Sequence, residues 1–557
     1  MLIGMAIDFG VHLVTRYEEE LRHGATQQTA LNKAMVNTGM GIFTGCLTTA
    51  GAFFAMSFTD FKGIQEMGVI AGGGLVVCLI PMMTMLPALL LKGRQNVIDH
   101  VHPPKEDRRE RIERLWLDRP ELVMTVTVLL CALCFWQARH VIFDYNLLNM
   151  QSHGLPAVVY EKKLINSASN SVLYGAVVAD TLPEALEIEK KLRGLSSVAD
   201  VQSMSRYLSE DQTRKLEYVT KVKQAVADIH FATLDEQPAN INELSLTLYS
   251  LQGYFGKALE MIQDKNEPEL EASLRSVWKV VGELRIRINA GNKNANSFQV
   301  AFYQQALLQD LRDTFASLKT QDDSAPLRAE DLPPALRHRF IGVGGKYLIQ
   351  AYPKDDVWRR DVQEKFVGEL RRTLDPQDTN KPIITGTPVQ LLEYTDLLRK
   401  SYEEAAWYAL IAIAIMVFMH FRSILCVILA LLPVAIGSLW TLGIMGTFGI
   451  PFNPANIMTL PLVVGVGVTN GIHILNRFAE EQNPSILAKS TGKAVIVSAL
   501  TTVAGFGSLI LAEHQGIKTL GWVMSLGTAA CMIASLTFLP ALLIFLTRAG
   551  WKMKKTQ

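Results

Sequence analysis

The sequence predicts a membrane α-helical bundle built around a duplicated core, with one α+β domain outside the membrane. Three observations predict it. Apolar runs long enough to cross a bilayer, which takes roughly 20 residues of helix, crowd residues 1–140 and 404–546. The stretch between them, 141–403, has the mixed composition of soluble protein. Finally, the first apolar block copies part of the second. Whole-chain averages conceal this, since 557 residues that are 49% hydrophobic with a net charge of +1 would also describe a large soluble enzyme. The near-zero charge also removes the concentrated basic surface that nucleic acid needs.

Taken in order, the expected spans are 1–15, 38–58, 64–91, 120–138, 404–421, 424–447, 455–476, 492–511 and 518–546. Lys and Arg cluster in the segment 92–119, in the turn at Arg422, in the link from Arg477 to Lys493 and in the tail 547–557. By the positive-inside rule these are cytoplasmic. The turns 59–63, 448–455 and 512–516 are nearly free of them, so the alternation closes and 139–403 falls on the opposite side. All six cysteines, Cys46, Cys78, Cys131, Cys134, Cys426 and Cys531, sit in apolar runs. They cannot staple the outer domain, and the Cys131/Cys134 spacing inside "TVTVLLCALCFW" reads as packing rather than redox or metal chemistry. No charged n-region or small-residue cleavage site marks a signal peptide.

The duplication is direct. "GMAIDFGVHLVTRYEEE" (4–20) aligns with "GVGVTNGIHILNRFAEE" (465–481), placing Gly10 on Gly471, His12 on His473, Arg16 on Arg477 and Glu19 on Glu480. "TGMGIFTGCLTTAGAFF" (38–54) aligns with "TGKAVIVSALTTVAGFG" (491–507), and "LPALL" recurs at 86–90 and 539–543. Two copies of a three-helix unit in one orientation imply halves related by an axis along the membrane normal. The second copy is preceded by an outer domain and two helices. The first has neither, and a helix over 1–15 would rise only about 22 Å against a hydrocarbon core of about 30 Å. The expectation is an N-terminally truncated chain: 1–91 the second part of a first repeat, 120–138 a single helix, and 404–546 a second repeat of five helices.

The outer domain opens with a strand-like run at 171–180, an amphipathic helix around Leu186 and Leu192, and a strand at 198–203. A matching unit follows at 346–353, a helix with Val362, Phe366 and Leu370, and 382–389. Both read as βαβ-type. Between them, at about 206–320, Leu244, Leu248, Leu251, Phe255, Leu259 and Ile262 recur at helical spacing, as do Leu270, Leu274, Val277, Val281 and Leu284. These stripes predict antiparallel helices packed on each other.

With the repeat, the intramembrane "IDFGVHLVTRYEEE", "LTTAGAFF", "LPALL" and "FDYNLLNMQ" (143–151) in hand, the chain resembles the resistance-nodulation-division superfamily. The nearest branch is the MMPL-like group associated with hopanoid biosynthesis, and the likeness covers essentially the whole chain. It implies proton-driven export of lipids or other hydrophobic molecules from the inner membrane of a Gram-negative bacterium, through periplasmic porter domains. A complete member would have twelve helices and two such domains; this chain would hold nine helices and one. No cofactor is implied. A homo-oligomer, and a separate polypeptide supplying a missing N-terminal half, are both compatible with the reading.

Asp8 is the candidate at the centre of the chemistry. A carboxylate in hydrocarbon costs at least about 2.5–3.5 kcal/mol on insertion scales, so such residues face the bundle interior and serve function. Removal from water favours the protonated form, which makes Asp8 a proton site. The copy carries Thr469 at the Asp8 position with Asn470 beside it, so the expected relay has one titrating carboxyl facing Thr469 and Asn470 across the axis. His12, one turn after Asp8, and its copy His473 are shuttle candidates, with interfacial rings near the cytoplasmic ends as the plainer reading. Thr48, Thr49, Thr501 and Thr502 either line the relay or only back-bond their own carbonyls. The glycines at 71–75 read as helix packing, since no Walker Lys-Ser/Thr follows. No nucleophile or metal-ligand spacing recurs, so an ion gradient is the expected energy source. Drug efflux, a sterol-sensing or scaffolding protein that binds lipid without moving it, and an inactive fragment are the rival readings. Only the sensor dispenses with a titrating intramembrane carboxyl.

Overall fold

The computed structural model describes residues 2–92, 113–114, 116–167, 172–209, 212–231, 237–262, 268–377, 379, 382–483, 485–486, 489–551 and 553. The expected basic segment 92–119 lies almost wholly outside the described residues, as does most of the tail after Trp551. Two compact units result: Met1–Ser203 with Lys346–Gln557, and Met204–Gly345.

The first unit contains the bundle. Its helices are α1 (Leu2–Arg22), α2 (Gly39–Ala55), α3 (Lys62–Lys92) and α4 (Pro120–Ala138), then α7 (Thr387–Phe421), α8 (Ile424–Phe448), α9 (Thr459–Glu481), α10 (Ser490–Gly507) and α11 (Gln515–Arg548). Among the described residues eight helical stretches are long and apolar enough to cross a membrane, and they correspond to the last eight expected spans. The ninth, expected at 1–15, falls in α1, which is not one of them. That helix runs on to Arg22, and Arg16, Glu18, Glu19, Glu20 and Arg22 make its second half polar. Met5, Phe9, Leu13 and Tyr17 nevertheless bury one face of α1 in the common core.

The same unit holds a four-stranded antiparallel sheet of order β2-β3-β1-β4, with β1 Gly175–Ala179, β2 Val198–Gln202, β3 Tyr347–Pro353 and β4 Ile383–Gly386. Helix α5 (Leu182–Arg193) joins β1 to β2, and α6 (Arg360–Leu374) joins β3 to β4. Each connection skips over a strand of the other half, so the arrangement is a split βαβ pair rather than two adjacent ones. Its core is Val177, Leu192, Ile349, Ala351, Phe366 and Leu370. Helix α5 starts where Thr181 accepts from the Glu184 amide while the Asp180 amide donates to the Glu184 carboxylate.

Helix α7 leaves the sheet directly. Gly386, at φ +101°, is required there because a Cβ would lie 2.5 Å from the Tyr174 carbonyl. From that turn α7 continues for 35 residues without a break, about 52 Å at 1.5 Å per residue. The boundary expected at 403–404 is therefore the middle of one rod.

The second unit is helical, with Ile241–Ile262, Pro268–Asn289 and Lys293–Lys319 as its long members. The first two pack on each other through Ile241, Leu248, Val281 and Ile288, with Leu244 and Phe255 alongside. Leu251, Leu270, Val277 and Leu284, expected in the same seam, are exposed. A sequence stripe wider than one helix contact leaves part of itself outside that contact.

Within the bundle, α8 is held by glycines. Gly437 faces Cys531 of α11, Gly443 faces Cys134 of α4, and a Cβ on Gly446 would lie 2.0 Å from the Gln137 carbonyl. Small residues let membrane helices approach closely. Gly446→Ala is expected to destabilise the α4/α8 crossing by about 1–3 kcal/mol, read as a lower unfolding midpoint in detergent. Gly505→Ala, which meets nothing within 4 Å, serves as the silent control.

Candidate functional site

The two copies do not stack each helix on its own equivalent. Helix α1 packs on α10, and α9 packs on α2, so each first helix of one copy grips the second helix of the other. This crosswise arrangement generates contacts in reciprocal pairs, which can be followed along the axis relating the copies.

At one level the Thr49 hydroxyl lies 3.2 Å from the Gly465 carbonyl, and the Thr502 hydroxyl lies 3.2 Å from the Gly4 carbonyl. These are the same contact made twice, since Thr49 aligns with Thr502 and Gly4 with Gly465. Thr48 and Thr501 instead donate to Thr44 and Ser498 carbonyls of their own helices, at 2.6 and 2.7 Å. The four threonines thus divide: Thr49 and Thr502 reach the other copy, Thr49 while also lying 2.9 Å from the Gly45 carbonyl of its own helix, and Thr48 and Thr501 only back-bond. Thr49→Val is expected to cost roughly 0.6–1.7 kcal/mol, the range for interhelical hydrogen bonds in membranes. Thr48→Val is expected to be close to neutral, and thermal unfolding of the two variants side by side checks this.

The next level holds Asp8. Its carboxyl faces the Ser498 hydroxyl of α10, and its Oδ1 is buried without a hydrogen-bond partner. Neither expected neighbour, Thr469 or Asn470, is a hydrogen-bond partner of Asp8 among the described residues. The Thr469 hydroxyl donates within its own helix to Val466 at 2.8 Å, and its methyl packs where a Cβ on Gly45 would be, 2.7 Å away. Asn470 is buried in α9. Because Gly45 aligns with Ser498, Asp8 against Ser498 and Thr469 against Gly45 are again equivalent positions. Here the equivalence breaks: one side pairs an acid with a hydroxyl, the other a methyl with a glycine.

His12 and His473 meet on the axis itself. Their rings stack with centroids 3.7 Å apart and planes 17° from parallel, and they are 4% and 6% exposed. The interfacial reading is therefore corrected. Residues near a two-fold axis contact their own copies, and these two do so deep inside the bundle.

Beyond them lies a crosswise ion-pair cluster. Arg16 reaches Glu480 at 2.7 Å, and Arg477 reaches Glu19 at 3.0 Å. Each arginine also pairs one turn along its own helix, Arg16 with Glu20 at 2.8 Å and Arg477 with Glu481 at 2.5 Å. Asn37 donates to Glu480 at 3.0 Å, and Ser490 donates to Glu19 at 2.6 Å, a further reciprocal pair. Lys33, Lys489 and Lys493 close the outer edge on Glu20, Glu481 and Glu18. Both arginine side chains are 6% exposed, so this is an interior clamp rather than a solvated face.

Two more groups complete the picture, of which His420 was not singled out in the sequence. His420, near the end of α7, places Nε2 2.8 Å from Asn476 Oδ1 and Nδ1 3.0 Å from the Thr44 hydroxyl. At the opposite end of α7, the segment 143–149 of the "FDYNLLNMQ" motif is docked. Phe143 forms a parallel bridge with Phe452, Arg399 donates to the Tyr145 hydroxyl at 2.7 Å, and the Arg360 guanidinium lies 4.3 Å from the Tyr145 ring centroid. Tyr145 therefore ties the exit of α4 to both α6 and α7.

The profile of the MMPL family matches residues 1–127 and 360–557. The chain is 27% identical over 557 residues to "Hopanoid transporter HpnN" of Rhodopseudomonas palustris (strain TIE-1), covering 98% of this chain and 60% of that protein. It is 26% identical over 555 residues to the protein of the same name from Burkholderia multivorans (strain ATCC 17616 / 249), with the same coverage. "Sulfolipid-1 exporter MmpL8" of Mycobacterium tuberculosis (strain ATCC 25618 / H37Rv) is 28% identical over 228 residues, 38% of this chain and 19% of that protein. The chain thus spans about 60% of the length of the full-length relatives it matches. These likenesses agree with the resemblance carried by the repeat and by the stretch "IDFGVHLVTRYEEE". By a profile matched over more than half of its residues, and by its apolar helices, this multi-pass membrane chain belongs to the MMPL family.

Proposed function

We propose that the chain exports a large lipid, hopanoid-like in class, from the inner membrane, driven by protons that load and leave Asp8. The observation that carries the reading is the broken equivalence at that level. Two crosswise interfaces match in their threonine bridges and their ion pairs, and differ where Asp8 meets Ser498. A charge placed there loads one interface and not its twin. Protonation removes that load, and the two three-helix units repack toward the other arrangement. Among the described residues Asp8 presents a buried carboxyl oxygen with no hydrogen-bond partner, so a charge held there is left without compensation.

His12 follows Asp8 by one turn and stacks on His473, and the proton's path from Asp8 is taken to run on this side toward the clamp. Moving one charge through 100 mV supplies about 2.3 kcal/mol, comparable to the cost of burying the carboxylate. The repacking reaches the outer domain through α7, which is one rod from sheet to clamp, and through Tyr145. That domain is taken to be periplasmic and to hold the lipid in transit. The relatives' names support lipid as the cargo class. A lipid sensor would have no use for the unpartnered carboxyl.

The test is lipid movement in vesicles containing the purified chain. Collapse of an imposed proton gradient by a protonophore is expected to stop movement. Movement that continues unchanged without a gradient would refute proton coupling.

A further inference from the structure

We propose that Tyr145 is a positioning residue for export, set in a strap of residues 142–149 that carries displacement of the head of α9 to the first residue of α6 and so to the outer sheet. The inference rests on the export reading above. It adds a path that starts at α9 rather than along the rod of α7.

Main chain fastens the strap to the bundle. The Phe452 amide donates to the Ile142 carbonyl at 2.9 Å, and the Asp144 amide donates to the Phe452 carbonyl at 2.7 Å, which makes the parallel bridge between Phe143 and Phe452. Phe452 lies in the short connection that enters α9, and that connection has little slack. Asn453 and Asn456 are both buried there. Asn453 Oδ1 accepts from the Asn456 amide at 2.9 Å, Asn456 Oδ1 accepts from the Asn453 amide at 2.8 Å, and Asn453 Nδ2 donates to the Thr519 hydroxyl of α11 at 3.0 Å. Such a pair resists deformation, because an opened bond leaves a buried polar group without a partner. A shift of α9 therefore moves Phe452, and Phe452 moves residues 142–144.

Beyond that point the strap stiffens itself. The Asp144 carboxylate accepts from the Asn146 amide and from Asn149 Nδ2, each at 2.9 Å, and Asn146 Oδ1 accepts from the Leu148 amide at 2.9 Å. Side chains that bond the backbone two residues on hold a turn in one shape. Tyr145 sits inside this turn, its ring centroid 4.4 Å from that of Phe143. The Arg360 guanidinium lies 4.3 Å from the Tyr145 centroid, within the range of a cation over an aromatic face. Arg360 opens α6 and is itself pinned, by the two Asp396 oxygens at 2.5 and 2.6 Å, by Glu364 at 2.6 Å and by the Thr395 hydroxyl at 3.2 Å. Helix α6 in turn buries Phe366 and Leu370 in the core of the sheet. Arg399 of α7 holds the far end of the ring through the Tyr145 hydroxyl at 2.7 Å. Every step from α9 to the sheet is thus a hydrogen bond, a ring contact or core packing. Asp8 and the clamp lie upstream of all of them, so loss of the ring leaves the proton events intact and removes what the outer domain receives.

The experiment makes two measurements on the same reconstituted chain: lipid movement under an imposed proton gradient, and the pH-dependent carboxyl infrared band that Asp8→Asn lacks. Tyr145→Leu is expected to lower the maximal rate of lipid movement about tenfold, the upper part of the range for residues along a coupling path, with the band and the unfolding midpoint unchanged. Tyr145→Phe, which keeps the ring on Arg360 and loses only the bond from Arg399, is expected to keep most of the rate. Asp144→Ala, which loosens the turn and leaves Tyr145, Arg360 and Arg399 in place, is expected to lower the rate severalfold with the band unchanged, and it decides the matter should Tyr145→Leu not fold. A wild-type rate in whichever variant decides overturns the strap. Loss of the carboxyl band together with lipid movement in a folded Tyr145→Leu assigns the ring a structural role and also overturns it. A wild-type chain that moves lipid without a gradient fails the export reading itself, and the strap falls with it. A gradient-driven wild type, an inactive Asp8→Asn and an unimpaired Tyr145→Leu reject the strap alone.

Discussion

Asp8→Asn is expected to abolish gradient-driven lipid movement while leaving the chain folded and inserted. Asparagine has nearly the volume of a protonated aspartic acid, so packing against α10 and Ser498 is retained. The amide also stands in for the neutral form without the ability to lose a proton, which holds the units in the arrangement that follows protonation. The expected loss is at least a hundredfold in rate, with an unfolding midpoint within a few degrees of wild type. Asp8→Glu, which keeps the titrating group and lengthens the arm, is expected to retain part of the rate. Equal rates for wild type and the asparagine variant would remove Asp8 from the mechanism. A collapse in folding would instead assign it a structural part.

The second large effect concerns the clamp. Removing one member of a buried ion pair leaves its partner uncompensated, at a cost of about 3–5 kcal/mol. Arg16→Gln removes the arginine shared by Glu480 and Glu20, and Arg477→Gln the one shared by Glu19 and Glu481, while Asn37, Lys33, Ser490 and Lys489 remain as partners and keep each loss below that figure. Each is expected to lower stability by a similar amount, because the two environments are copies. Adding Glu480→Gln to Arg16→Gln is expected to cost less than the sum of the single changes, since contacting residues couple. The same holds for Glu19→Gln on Arg477→Gln. Additive losses in both cycles would show that the crosswise pairs carry no coupling between the copies, and the clamp would reduce to four independent surface contacts.

These expectations also mark what the sequence could disclose. Eight of the nine expected spans and the repeat were legible because apolar run length and self-alignment are one-dimensional properties. The equivalence of Arg16 with Arg477 and of Glu19 with Glu480 was legible too, but not that each arginine would seek the other copy's glutamate. That depends on α1 packing against α10 and α9 against α2, a choice made by surfaces that alignment does not order. The same choice set Ser498 against Asp8. The signal was present in the alignment, since Ser498 replaces Gly45 just where a side chain needs room. His12 and His473 carried a similar signal: residues that align and lie near the axis meet each other. His420 has no copy and no periodic partner, so only its contacts with Thr44 and Asn476 reveal it. The polar second half of α1, beyond the span expected at 1–15, is where the copies exchange ion pairs.

The exposed half of the helical stripes in Met204–Gly345 has a different origin. Leu251, Leu270, Val277 and Leu284 obey the spacing of a buried seam, yet a pair of helices covers only a narrow strip of each. Spacing reports the direction of a face, and the presence of a neighbour on it is a separate matter.

The central claim is that one carboxyl inside the packed copies takes up and releases hydrogen ions under working conditions. Difference infrared spectroscopy of the reconstituted chain, stepped in pH with and without lipid, measures this on the carboxyl C=O band. The account predicts a protonated-carboxyl band that appears and vanishes reversibly across the physiological range and is missing from Asp8→Asn. A band that never changes, or that persists in Asp8→Asn, would contradict it.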